Sequence, residues 1–134
     1  MDTITLTDSN YLDYINQDVI AFSFSYAGSQ GKKCTIYIIN KLGYVFYANF
    51  AKDIKHEHVE EVCTALKTVE YGMFQSNNMD KNWRPVYLGG GNFLQINASI
   101  YNDFKNIVNE RMSKDENCFL YSNWIDIVLT IIRS

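Results

Sequence analysis

The spacing of apolar and polar residues changes repeatedly along this chain, and each change marks an element. Near the start, Tyr11, Leu12, Tyr14 and Ile15 fall at helical spacing, and Asp8 or Ser9 stands where a cap for that short helix belongs. Strict alternation follows, with Ile20, Phe22, Phe24 and Tyr26 on one face and Ala21, Ser23 and Ser25 on the other, which predicts a half-buried strand. Gly28 to Lys32 reads as a turn. The next strand, 34–40, is apolar on both faces, with Ile36 and Ile38 against Tyr37 and Ile39, as a central strand would be. Asn40-Lys41-Leu42-Gly43 predicts a hairpin turn, and 44–50 alternates again. Three consecutive strands with short connections predict an antiparallel meander.

From about Lys55 to Phe74 the period becomes helical. Val59, Val62, Leu66, Val69 and Met73 form an apolar stripe, while Glu57, Glu60, Glu61, Lys67 and Tyr71 lie away from it. The carboxylates of the first turns complement the helix dipole. Two short strands, 85–88 and 92–96, are expected around Gly89-Gly90-Gly91, with Pro85 marking a strand start or a sheet edge because it has no N–H to donate. Asn97 or Ser99 can cap a second long helix carrying Ile100, Phe104, Ile107 and Val108. Residues 118–121 read as a strand after a polar break. The tail fits a helix through Trp124, Ile127, Val128 and Ile131, and fits a strand through Ile125, Ile127, Leu129 and Ile131; we take the helix. The sum is an α+β domain: an antiparallel sheet of about five or six strands, with two or three helices packed mainly on one face.

Length and composition narrow this picture without changing it. At 134 residues the chain can bury a core unaided, and no repeat, low-complexity tract or linker divides it, so residues 1–134 are read as a single domain. Ten Tyr, eight Phe and two Trp are an unusual aromatic load, suited to half-buried strands and to protein interfaces. A net charge of −3, with acids scattered among bases, argues against nucleic acid as a partner. Cys34, Cys63 and Cys118 are an odd, widely spaced set, which fits reduced core thiols in a cytoplasmic setting. No leader and no run long enough for a membrane span are visible, so no membrane association is expected.

Candidate chemistry is sparse. The triple glycine fails the spacing of both phosphate-loop patterns and reads as a turn or bulge. His56, Glu57, His58, Glu60 and Cys63 cluster at one helix start, yet a zinc site needs three converging ligands and a supporting shell, so no metal is expected. No spacing singles out a nucleophile with its base, or a pair of carboxylates. We therefore expect no enzyme activity and no cofactor.

One stretch carries a family signal. Trp83-Arg84-Pro85-Val86-Tyr87-Leu88-Gly89-Gly90-Gly91-Asn92-Phe93-Leu94, followed by Ser99-Ile100-Tyr101-Asn102-Asp103-Phe104, resembles a segment of small bacterial immunity proteins of contact-dependent growth inhibition and related polymorphic toxin systems. The resemblance implies a cytoplasmic, non-enzymatic protein that binds and neutralises the toxic C-terminal domain of a cognate effector, commonly a nuclease. Such a partner has a basic cleft, where carboxylates of an inhibitor can take the place of phosphates. Two surfaces are the candidates: the acidic outer part of the long helix, with Glu57, Glu60, Glu61 and Tyr71, and the connection holding Asp80 and Trp83. The alternative is a non-enzymatic adaptor or dimerisation module that uses an exposed aromatic surface or an edge strand.

Overall fold

In the computed structural model, which describes residues 3–15, 18–27, 33–49, 52–55, 57, 58, 61, 82–89, 92–114 and 120–134, the described residues form one six-stranded sheet and three continuous helices. In chain order these are β1 (Thr3–Thr5), α1 (Tyr11–Ile15), β2 (Val19–Ala27), β3 (Lys33–Asn40), β4 (Val45–Asn49), β5 (Trp83–Gly89), β6 (Asn92–Asn97), α2 (Ala98–Lys114) and α3 (Leu120–Ile132). Glu57, His58 and Glu61 are also helical; the apolar stripe expected from Val59 to Met73 lies wholly outside the described residues. The strand order is β1-β4-β3-β2-β6-β5.

The meander β2-β3-β4 is antiparallel as the alternation predicts. The sheet as a whole is mixed and not purely antiparallel, because β1 runs parallel to β4, with Ile4 opposite Phe46. Three residues are too few to show an alternation, so β1 leaves no signature in the sequence. It is held by position: Leu6 N–H donates to the Tyr47 carbonyl at 2.7 Å, and Leu6 itself is completely buried.

Each strand of the meander sends side chains into two separate buried clusters. Phe22, Ile36, Ile38, Phe46 and Ala48 share the first with Leu6, Ile54 and the α1 residues Tyr11 and Ile15. Ala21, Ile39 and Val45 share the second with Leu94 and Ile96 of β6, with Ile100, Phe104 and Val108 of α2, and with Trp124, Ile127, Val128 and Leu129 of α3. The pairing register shifts between Val19 and Ala21. That irregularity corrects the simple alternation: Ile20 joins the second cluster, and Val19 packs with Phe22 against the first.

The C-terminal segment is a helix, and Leu120 and Tyr121 belong to it instead of to a strand. Trp124, Ile127, Val128 and Leu129 turn toward the sheet, a spacing only a helix can bury together. Asn97 is the cap of α2; its Oδ1 accepts the Ser99 N–H at 3.0 Å and the Ser99 hydroxyl at 2.7 Å.

At the outer strand β5, the Ala98 N–H donates to the Asn82 carbonyl at 2.6 Å, just beyond the paired Trp83 and Asn97. Antiparallel pairing alternates, so the main chain of Arg84 and Val86 faces β6 and that of Pro85 faces outward. The missing N–H of Pro85 therefore interrupts the free edge and spares the ladder. Arg84 adds to this by donating from Nη1 to the Trp83 carbonyl at 3.1 Å.

The β3–β4 turn is the most closely tied loop among the described residues. Asn40, 1% exposed, accepts the N–H groups of Leu42 (3.1 Å) and Tyr44 (3.0 Å) on its side-chain oxygen. The Gly43 N–H donates to the Asn40 carbonyl at 3.0 Å, and Lys41 N–H to the Asp18 carbonyl at 2.8 Å. Gly43 has φ of 87°, a conformation that L-residues adopt at a cost. A Cβ there would meet Ile132 and Leu129 at an ordinary 3.8 Å. Gly43→Ala is therefore a pure backbone test. It should destabilise the fold by about 1–2 kcal/mol, read as a lower melting temperature with an unchanged far-UV spectrum.

Candidate functional site

Of the acidic residues singled out from the sequence, Glu57 and Glu61 lie beside the first core cluster, where the chain leaves β1 and β4. After β4, the Asn49 carbonyl accepts N–H groups from Lys52 and Asp53, while Asp53 Oδ2 accepts the Asn49 N–H at 2.9 Å. This closed turn drops Ile54 into the core, 1% exposed, and delivers Lys55 next to the residues that follow β1.

Asp8 joins the two segments. Its Oδ1 accepts the Lys55 N–H at 2.9 Å and lies 2.7 Å from His58 Nδ1. It thus braces the start of the helical positions 57, 58 and 61 from a different part of the chain, and the expected cap for α1 is not its role. The first turn of α1 is closed by Thr7 instead, whose carbonyl accepts the Tyr11 N–H at 3.0 Å and whose N–H donates to Asn10 Oδ1 at 2.7 Å. The Lys55 N–H, then the His58 ring, hold the Asp8 carboxyl below its usual 3.8.

Tyr11 is the pivot beneath these groups. Its ring is buried in the first cluster and stacks on His58 at 5.5 Å between centroids. Its hydroxyl donates to Glu61. Burial, followed by the Glu61 carboxylate, pushes the Tyr11 hydroxyl up to about 12. Glu57 stands outside, its side chain 70% exposed and its Oε1 3.9 Å from His58 Nε2. Asp8, Glu57 and Glu61 therefore form a carboxylate surface around a stacked Tyr11–His58 pair, fixed to the core through Tyr11 and Ile54.

Of the other residues named from the sequence, Trp83 is half-buried and meets Phe22 edge-on at 5.0 Å, packed against the first cluster. Glu60, Tyr71 and Asp80 lie outside the described residues. Asp8, His58 and Tyr11 were not recognisable as members of one site, because their meeting depends on β1 pairing with β4, and Asp8 lies 50 residues from His58. A local pattern carries no such information.

Chemically, the arrangement suits binding. Among the described residues, His58 contacts carboxylates and an aromatic ring, with no hydroxyl or thiol held against it as a nucleophile. No group of three His, Cys, Asp or Glu side chains among the described residues could hold a metal. A groove of about 150 Å³ between β5 and α2, lined by Val86, Tyr101, Phe104 and Lys105, is smaller than small-molecule sites usually are. No described helix is long and apolar enough to cross a membrane.

Two substitutions test the clamp. Tyr11→Phe removes the hydrogen bond to Glu61 and should cost about 0.5–1.5 kcal/mol at neutral pH. The raised hydroxyl value means that the wild type loses stability as pH rises from 10 toward 12, whereas Tyr11→Phe lacks this component. Asp8→Asn should flatten the acid limb: the depressed carboxyl stabilises the native state above about 3.8, and that contribution disappears as pH falls through its lower folded value. Denaturant titrations across pH read both effects; superimposable wild-type and variant profiles would contradict the clamp. Comparison of the chain with protein-family models, curated proteins and solved structures finds no match.

Proposed function

We propose that this chain is an immunity-type inhibitor, a cytoplasmic protein that binds and neutralises the toxic C-terminal domain of a cognate effector. The observation that carries the reading is the carboxylate surface of Asp8, Glu57 and Glu61, braced on buried Tyr11 and Ile54. A surface of this kind attracts a basic protein, and its fixed backbone loses little freedom on binding. The family resemblance at Trp83–Phe104 supplies the toxin as that protein, with a nuclease domain as the fitting class because its substrate cleft is basic. On this reading the helices back the sheet mainly on one face: α2 and α3 serve as scaffold on the second-cluster side, and the side of α1, Lys55, Glu57, His58 and Glu61 meets the partner. Nucleic acid, a metal and a cofactor have no part in it.

The rival reading, an adaptor or dimerisation module with an exposed aromatic or edge-strand surface, finds less support at the β5 edge. The outward-facing Pro85 and the Arg84 guanidinium on the Trp83 carbonyl both impede strand addition at β5.

The direct test is rescue: the toxin domain encoded beside this gene is expressed in cells with and without the protein. The proposal expects growth only when the protein is present, and equal arrest in both would refute it. For the surface itself, Glu57→Lys should slow association with the toxin domain about tenfold at low salt, with a smaller effect as salt is raised and no change in thermal stability. An association rate equal to wild type would remove Glu57 from the interface.

A further inference from the structure

The β3–β4 turn displays Leu42 at 77% and Tyr44 at 53% exposure, two of the large hydrophobic residues left in solvent. One exposed leucine is ordinary surface. What sets this pair apart is stiffness. Asn40 ties both residues' N–H groups, its own N–H donates to the Tyr44 carbonyl at 3.2 Å, and Gly43 backs onto Leu129 and Ile132 of α3. A loop already frozen by its own hydrogen bonds gives up little entropy when it docks, which is the property of an anchor.

Its position relates it to the carboxylates. β1 and β4 run parallel, so the Asp8 cluster follows their C-terminal ends and the turn precedes the N-terminal end of β4. Five residues of strand separate them, about 17 Å. Between the two, Tyr14 of α1 stacks on Phe46 at 4.8 Å, two residues beyond Tyr44. A standard interface of about 800 Å² per partner is roughly 30 Å across and covers both.

We infer that the Leu42–Tyr44 turn is a second contact of the same interface, an apolar projection that seats in a hollow of the basic protein partner attracted by Asp8, Glu57 and Glu61. The inference rests on the proposed function. Charge selects this occupant over two others. At the base of the turn, Lys41 and Asp18 lie 3.9 Å apart and offset each other, and the chain carries −3 overall, which disfavours an anionic lipid surface. A second copy would bring the same carboxylates toward its own, like against like. The division of labour is then kinetic: carboxylates raise the association rate, and the apolar turn lengthens the lifetime of the complex.

The test measures binding kinetics of the wild type, Leu42→Asp, Tyr44→Ala and Glu57→Lys against an inactivated form of the toxin domain encoded beside this gene, at low and high salt. Thermal melts accompany each variant; exposure of both side chains predicts melts close to wild type. Leu42→Asp should weaken binding about tenfold or more, through faster dissociation and with the wild-type salt dependence. Tyr44→Ala should act in the same sense. Wild-type affinity in both turn variants, with Glu57→Lys impaired, overturns the turn contact and leaves the proposed function standing. No binding by the wild type overturns both. Concentration-dependent self-association, or binding to phosphatidylserine vesicles, that Leu42→Asp abolishes while toxin binding is unchanged, assigns the turn to another occupant and also overturns the inference.

Discussion

Two-sided burial of the β2-β3-β4 meander is the constraint on which the rest of this structure depends. A strand covered on one face can alternate apolar with polar residues, but β3 cannot, because Ile36 and Ile38 enter one cluster while Ile39 enters the other. Both faces then need a cover, and the described residues supply different ones. On one side stand α2 and α3, long helices whose apolar faces close over Ala21, Ile39, Leu94 and Ile96. On the other, among the described residues, stand the five-residue α1 and the buried Leu6 and Ile54 of connecting segments. Burial of isolated loop residues fixes loop backbone, and here the fixed loops are those that hold Asp8 and His58.

That asymmetry ties the fold to the candidate site. Tyr11 has two roles at once: its ring fills core beside Phe22 and Phe46, and its hydroxyl and face position Glu61 and His58. Glu57 is solvated and contributes little to stability as a surface group, whereas Asp8 and Glu61 tie their segments together. A charge on a braced backbone presents a constant field to an approaching protein. The hairpin turn follows the same logic with apolar side chains, its rigidity coming from the buried Asn40 and its backing from α3.

Much of the framework was legible in the sequence because it is local. Period-two runs located β2, β3 and β4, the Asn40–Gly43 signal located their hairpin, and Asn97 with Ser99 located the start of α2. The α3 segment was readable but ambiguous: β-branched Ile and Val at alternate positions suit a strand, and burial of Trp124, Ile127 and Val128 along one helical face decided it. Three features could not be read. β1 is too short to show a period, its parallel pairing with β4 depends on tertiary context, and the bulge after Val19 re-aims Ile20 without any glycine to announce it. The site shares this limit. Glu57 and Glu61 stood out as charges off a helical stripe, whereas Asp8 resembled an ordinary cap for the helix next to it. Its real partners, Lys55 and His58, become neighbours only once β1 lies beside β4.

Amide hydrogen exchange of the chain, alone and mixed with the toxin domain proposed as its partner, reads the whole backbone without presuming any contact and so distinguishes the two sides of the sheet. The proposed interface slows exchange at residues 8–15, 41–45, 55, 57, 58 and 61, with α2, α3 and the β5 edge exchanging as in the free chain. Protection confined to α2, α3 or β5 would contradict it, and would place the partner on the opposite side of the sheet.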